Sequence, residues 1–165
     1  MPNAPTFPAP LRKFLRKAAG GDIPFWSTIG MEVVESAPGM GRVRVRFSRG
    51  LINSNGVVHG GVVSSAADAA TAVALLSLLE AGERMATTEM KINFIKPVQA
   101  CDVIAEAHIL HRGGHTAVGD VTVRDSAGNL VAKALATFAI TQPRAPAVKR
   151  KRVQKKKAPT LKKTG

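Results

Sequence analysis

The sequence predicts an α+β domain in which an antiparallel sheet surrounds one long helix. Residues 62–79 are small or apolar apart from a few hydroxyls and Asp68, and such a run makes a helix of about 27 Å. Strand patterns lie on both sides of it, and Gly-containing turns join the later strands into hairpins. Because the helix is apolar all round, we expect it to be buried on every side.

The chain is expected to form one domain with an extension at each end. Residues 1–21 hold a Pro-rich leader and a short basic amphipathic helix, residues 22–142 the domain, and residues 143–165 a basic tail. The short helix, from Leu11 to Ala19, should dock on its own domain through its apolar face. Binding to a membrane or a partner is the alternative for this helix.

Alternating apolar residues predict six strands in the order β-β-α-β-β-β-β. In the second strand, three valine and phenylalanine side chains face one way and three arginines the other, which is typical of a solvated sheet face. Turns are expected at residues 112–114 and 126–129. The predicted strands cover residues 31–36, 42–47, 85–95, 103–111, 116–125 and 130–141.

The net charge of +13 is unevenly distributed. From Arg144 onward there are ten Lys and Arg and no Asp or Glu, so the tail carries +10 and the rest of the chain +3. We expect the tail to be disordered and able to contact nucleic acid, anionic membrane or acidic protein. It has no aromatic residue to stack on bases.

Two observations bear on the compartment. Cys101 is the only cysteine, which excludes an internal disulfide and fits the reducing cytoplasm. A membrane span over residues 62–79 is rejected, because the central Asp68 would cost about 2.5–3.5 kcal/mol on insertion scales.

The candidate site begins with His59-Gly60-Gly61 at the predicted helix start. Free N–H groups at a helix start favour an anion or a developing oxyanion, and glycine lets a ligand approach closely. Asp68, two turns further on, is a candidate general base. The two lie about 11–12 Å apart along the helix axis, so we expect an active site shared by two subunits. The non-functional alternatives are a turn for His59-Gly60-Gly61, an interface hydrogen bond for Asp68 and a loop cap for Asn53.

The pattern Asn53-x5-His59-Gly60-Gly61-x6-Asp68 resembles the hotdog-fold acyl-CoA thioesterases of the phenylacetyl-CoA (PaaI-like) type. The likeness covers most of residues 22–141, including residues 39–43 and the segment Ile92-Asn-Phe-Ile-Lys-Pro97. It does not cover the leader or the tail.

The resemblance implies a curved antiparallel sheet around the helix, paired into a dimer and often a tetramer. It implies hydrolysis of an acyl-CoA and no metal or redox cofactor. The small residues Ala66, Ala67, Ala69 and Ala70 leave room for either an aryl or a medium-chain acyl group. Asp68 would be general base or nucleophile, contributed across the dimer interface. The other implied roles are carbonyl polarisation by Gly60 supported by His59, placement of substrate or water by Asn53 and Thr87, and substrate binding by Gly61 and Thr88.

Thr88 is also the alternative to Thr87, because a one-residue shift in register exchanges the two faces of a strand. A non-catalytic acyl-CoA-binding protein with a nucleic-acid-contacting tail is the rival function. An enoyl-CoA hydratase would need an Asp–His pair on one loop and helix, which the sequence lacks. A metal site at His108, His111 and His115 is disfavoured, since no carboxylate or cysteine is expected to converge with them.

Overall fold

The computed structural model describes residues 7–142. A six-residue helix at Pro24–Ile29 and a 3-10 turn at Arg49–Leu51 were not predicted from the sequence. The last two strands have the predicted bounds. The described elements are α1 (Ala9–Ala19), α2 (Pro24–Ile29), β1 (Met31–Ala37), β2 (Met40–Val45), α3 (Gly60–Leu76), β3 (Arg84–Phe94), β4 (Val103–Arg112), β5 (Thr116–Asp125) and β6 (Leu130–Thr141).

The six strands form one antiparallel sheet in the order β1-β2-β4-β5-β6-β3. The β4–β5 and β5–β6 hairpins are those predicted from their turns. β3 does not pair with β4, the next strand in the chain, but with β6, so β1 and β3 form the two edges. With α3 packed inside the curve of the sheet, this is the predicted hotdog fold.

Close packing of α3 against the sheet depends on two glycines. A Cβ at Gly41 in β2 would lie 2.6 Å from the backbone of Ala70 and of Ala74, and a Cβ at Gly119 in β5 would lie 2.6 Å from Thr71. A larger side chain at Gly41 would require a shift of the helix backbone, and one at Gly119 a shift of the Thr71 side chain. The residues of α3 that face the sheet are correspondingly small and buried: Ala66, Ala67, Ala70, Thr71, Val73 and Ala74.

The expectation that α3 is buried on every side is wrong for the single chain. One stripe of the helix remains accessible, because the sheet is open and encloses the helix from one side. The serine hydroxyls in this stripe donate to carbonyls one turn back, so they are satisfied without a partner. The stripe consists of Gly61, Ser64, Ser65, Asp68 and Ala72.

Helix α1 docks on its own domain, as predicted. Leu11 is fully buried, and the ring of Phe14 meets that of Trp26 in α2 edge-on, with centroids 5.2 Å apart. The first six residues of the leader and the whole tail, residues 143–165, lie outside the described part of the chain. Within residues 7–142, no helix is both long and apolar enough to cross a bilayer.

The arginine face of β2 is a network of ion pairs on the outer side of the sheet. Arg42 bridges Glu35 and Glu106, and Arg44 and Arg46 share Glu32. These contacts hold the pKa of Glu32 and of Glu106 below the usual range, through hydrogen bonds from Arg44 and from His108 respectively. This face is structural and partly solvated, as the alternating pattern indicated.

Candidate active site

The start of α3 presents one free backbone donor. His59 is the N-cap residue, and its Nδ1 accepts the N–H of Gly61 at 2.8 Å, while its carbonyl accepts the N–H of Val62 at 2.9 Å. Gly60 N–H makes no hydrogen bond within the part of the chain that the structure describes. That N–H therefore lies at the positive end of the helix dipole and is available to an oxyanion.

The cap hydrogen bond also indicates which tautomer the neutral His59 ring adopts. Because Nδ1 is the acceptor, the proton of the neutral ring is on Nε2. The ring is exposed, and its orientation is fixed by its own cap bond. The His59 side chain takes up the N–H of Gly61, and the N–H of Gly60 keeps no acceptor within residues 7–142.

Asn53 organises the loop that leads to His59. Its Oδ1 accepts the N–H groups of Asn55 at 2.9 Å and of Val57 at 3.4 Å, and its own N–H donates to the carbonyl of Val57. This geometry matches the loop-cap alternative. Among the described residues, no hydrogen bond links Asn53 to Asp68 or Thr87.

Asp68 and Thr87 are brought together across the gap between α3 and β3. The Thr87 hydroxyl donates to Asp68 Oδ1 at 2.7 Å. Asp68 is half-buried, and within residues 7–142 its Oδ2 accepts no hydrogen bond. One carboxylate oxygen is thus held in place while the other remains free to accept a proton.

Thr88 is not part of this pair. A β-bulge falls at Thr88 where β3 pairs with β6, and its hydroxyl donates to the carbonyl of Thr137 at 3.0 Å. Of the two threonines that the sequence could not separate, the structure therefore brings only Thr87 to the carboxylate.

A cleft of about 300 Å³ opens beside the start of α3. The ring of Phe94 covers Gly60, since a Cβ on that glycine would lie 3.4 Å from Phe94 Cζ. Phe94 and Ile95 are 55% and 50% exposed, and the exposed Lys96 also lines the cleft. The remaining lining residues are Asn53, Val57, Val58, Val63, Pro97, Val98 and Val131.

Sequence reasoning gave no role to Phe94 or Lys96. Both stand in the segment that carried the resemblance, but only the pairing of β3 with β6 brings that segment to the helix start. The exposure of Phe94 and Ile95 at the strand end is visible only in the structure, so the sequence carried no local signal for them.

In one chain the candidate groups lie in two separate places, the two candidate half-sites. Gly60 N–H and the cleft lie at the start of α3, and the Asp68–Thr87 pair lies about 12 Å further along the same helix, beside the edge strand β3. A single carbonyl cannot contact both. The predicted separation is therefore preserved in the folded chain.

The other candidate groups do not extend the site. Among the described residues, no three or more His, Cys, Asp or Glu side chains are grouped as for a metal ion. His108 is bonded to Glu106 at 2.9 Å, and Cys101 is a half-buried free thiol.

Several known proteins of similar sequence or structure carry esterase, CoA-hydrolase or thioesterase names. The model of the Thioesterase superfamily matches residues 55–132. A protein of Saccharolobus solfataricus with a provisional esterase name is 35% identical over 68% of this chain and 74% of its own length.

Two further proteins resemble the chain over nearly their whole length. The 1,4-dihydroxy-2-naphthoyl-CoA hydrolase of Listeria monocytogenes is 27% identical over 71% of this chain and 95% of its own. The structure of the phenylacetic acid degradation protein PaaI from Thermus thermophilus superimposes with a TM-score of 0.65 at 26% identity, covering 70% of this chain and 97% of that one. The chain therefore belongs to the thioesterase superfamily, as a hotdog-fold thioester hydrolase.

Proposed function

We propose that this chain hydrolyses an acyl-CoA thioester to the free acid and CoA, with Asp68 as general base and Gly60 N–H as the carbonyl polariser. The observation that carries the proposal is the hydrogen bond from Thr87 to Asp68, which fixes one carboxylate oxygen and leaves the other free. The N–H of Gly60, which has no acceptor within residues 7–142, supplies the second group that thioester hydrolysis needs.

We further propose that the active site forms between two copies of the chain. β3 is an eleven-residue edge strand, and beside it lies the accessible stripe of α3 that contains Asp68. Long open edges are normally paired or covered in native proteins. Pairing of two β3 edges would cover both features and bring Asp68 of one subunit toward Gly60 of the other. A tetramer would be a pair of such dimers.

The chemistry then follows from the two half-sites. The thioester oxygen accepts Gly60 N–H of one subunit while water, held by Asp68 and Thr87 of the other, attacks the carbonyl carbon. One water proton passes to Asp68, and the negative charge on oxygen is stabilised by the N–H and the α3 dipole. The intermediate expels CoA thiolate, which takes the proton from Asp68, and the acid is released.

In the alternative route, the Asp68 carboxylate itself attacks the carbonyl carbon and expels CoA. The resulting mixed anhydride is then hydrolysed. Label found in the Asp68 carboxylate after a single turnover in water enriched in heavy oxygen would demonstrate the anhydride route, because direct attack of water on the thioester cannot put it there.

The remaining residues have supporting roles in this proposal. His59 caps the helix through the N–H of Gly61, and Asn53 shapes the loop before it. The substrate-binding role expected of Thr88 is not part of the proposal, because its hydroxyl donates to Thr137. The apolar cleft under Phe94 would receive the part of the substrate next to the thioester, aryl or medium-chain. The reaction as written needs no metal or further cofactor, and we place the enzyme in the cytoplasm.

The proposal is tested first at Asp68. Thiol release is measured from a panel of aryl- and alkyl-CoA thioesters with the wild type, Asp68→Ala and Asp68→Asn. We expect the wild type to turn over at least one thioester and both variants to lose about two orders of magnitude or more in kcat. Folded variants with wild-type rates would make Asp68 structural. Thioester binding without turnover by the wild type would favour the acyl-CoA-binding alternative.

Gly60 offers a test of the polariser with a matched control. Gly60→Pro removes the N–H at the first helical position, where proline is well accepted, and His59 already has the extended backbone, ψ 135°, that precedes proline. Gly60→Ala keeps the N–H and adds bulk at the same point. We expect the proline variant to lose about 100-fold or more in kcat and the alanine variant far less. Equal losses would mean that the space, not the N–H, matters.

A further inference from the structure

The net positive charge of this chain comes from its two ends. The four cations of α1 are Arg12, Lys13, Arg16 and Lys17. The tail supplies +10, and residues 18–143 contain ten Lys and Arg against eleven Asp and Glu, a net charge of −1. The catalytic domain without α1 and the tail is therefore close to neutral.

The cations of α1 are concentrated on one side of a firmly anchored helix. All four are exposed, whereas Leu11 is fully buried and Phe14 packs on Trp26. Arg12 and Lys17 are separated by about 7.5 Å along the helix axis, less than one Debye length at physiological salt. Their fields therefore add.

These charges have no internal counterpart. Arg12 and Arg16, and likewise Lys13 and Lys17, are like charges four residues apart, an arrangement that disfavours a helix. Among the described residues, no ion pair reaches any of them. Glu32, which lines the groove beside Leu15, is already occupied by Arg44 and Arg46. A helix that keeps this repulsion is suited to an external anionic surface.

An exposed aromatic ring lies on the same unit. Phe25 of α2 is 55% exposed, and its neighbour Trp26 holds α2 against α1. Arg12, Lys13, Arg16, Lys17 and Phe25 are all exposed on the unit that α1 and α2 form, and we name these side chains together the α1–α2 surface. It combines clustered cations with one large apolar side chain.

We infer that the α1–α2 surface docks on an anionic phospholipid bilayer. A second copy of this surface and the chain's own tail are both cationic and would be repelled. A bilayer interface meets both features at once, since headgroup phosphates attract Lys and Arg and the interfacial layer accepts an aromatic ring. A nucleic acid duplex would use the cations but not the ring.

The test is sedimentation of the full chain with phosphatidylcholine vesicles, with and without phosphatidylglycerol. We expect binding only when phosphatidylglycerol is present. Replacing all four α1 cations by Gln should lower the partition constant by about tenfold or more. Replacing Lys149, Arg150, Lys151 and Arg152 by Gln removes the same charge from the tail and should cost less. Equal losses would show that only total charge counts and would overturn the proposal.

Two further measurements separate the outcomes. Phe25→Ser should weaken the binding that persists at high salt, and no change there would remove the ring from the surface. Duplex DNA is the competing probe: if the α1 replacements weaken DNA binding but leave vesicle binding intact, the lipid assignment is wrong. Circular dichroism and thiol release should be unchanged in the α1 variant, because α1 is not part of the catalytic half-sites.

Discussion

At the scale of single residues, the carboxylate of Asp68 depends on one neighbour for its position. The Thr87 hydroxyl holds Oδ1 at 2.7 Å, and the helix supplies no second donor to that side chain. A carboxylate held at one oxygen keeps a defined direction toward an attacking water. Thr87 is therefore a positioning residue in this account.

Replacement of Thr87 should separate positioning from bulk. Thr87→Val is close in shape and cannot donate, so we expect a loss of about tenfold or more in kcat with a smaller change in KM. Thr87→Ser keeps the donor and should retain most activity. Thr88→Val is the control, because the Thr88 hydroxyl donates to Thr137 instead. A Thr88→Val loss as large as that of Thr87→Val would contradict the assignment.

The sequence could identify the two candidate groups on α3 but not the residues that surround them. His59-Gly60-Gly61 and Asp68 follow from spacing along one helix, which is local information. The choice between Thr87 and Thr88 depends on a bulge that arises only when β3 pairs with β6. Phe94 and Lys96 reach the helix start through the same long-range pairing, so no local pattern could have placed them.

At the scale of elements, the contact of α3 with β2 is limited by backbone-to-backbone distance. Gly41 faces the helix where Ala70 and Ala74 pass, with no space for a methyl group. The small residues of α3 look unspecific in the sequence, but they allow the close contact between helix and sheet.

Gly41→Ala should consequently destabilise the fold. Forcing a carbon into a packed contact typically costs about 1–3 kcal/mol of unfolding free energy, measured by urea denaturation. Gly50→Ala is the matched control, since a Cβ at Gly50 meets nothing within 4 Å. If both variants unfold at the wild-type midpoint, the helix is less tightly held than the structure indicates.

The strands themselves could be predicted because apolar and polar residues alternate with a period of two along each of them. Sheet order could not, because the residues of β6 that pair with β3 lie 38 to 57 residues away in the sequence. The exposed stripe of α3 was missed for a similar reason: composition says that a helix is apolar, but only the extent of the sheet says how much of it one chain can cover. The six-residue α2 was too short for a periodic pattern.

At the scale of the whole molecule, a buried carboxylate joins parts distant in sequence. The side chain of Glu83, only 2% exposed, accepts the N–H of Glu80 at 2.9 Å, the guanidinium of Arg112 and the amide of Gln142 at 2.8 Å. It thereby ties the loop after α3 to the end of β4 and to the residue that precedes the tail. These contacts, the Glu80 N–H first, lower the pKa of Glu83 below its usual value.

The sign of the pH dependence follows. A lowered pKa means that Glu83 stabilises the fold above its unfolded pKa of about 4.3, and that this contribution is lost as the pH falls through the lower folded value. Glu83→Gln should therefore be less stable than wild type at pH 7, with a difference that shrinks on acidification. Glu80→Gln, an exposed neighbour, should change little. A Glu83→Gln deficit that is the same at every pH would contradict this role.

In the proposed dimer, each active site combines Gly60 of one subunit with Asp68 of the other. The direct test is thiol release by mixed dimers of Gly60→Pro and Asp68→Ala, each nearly inactive alone. Random pairing should restore about a quarter of wild-type turnover, because about half of the dimers are mixed and each of those has one complete site. Mixed dimers that stay as inactive as their parents would mean that both groups act within one subunit, and the shared site would have to be abandoned.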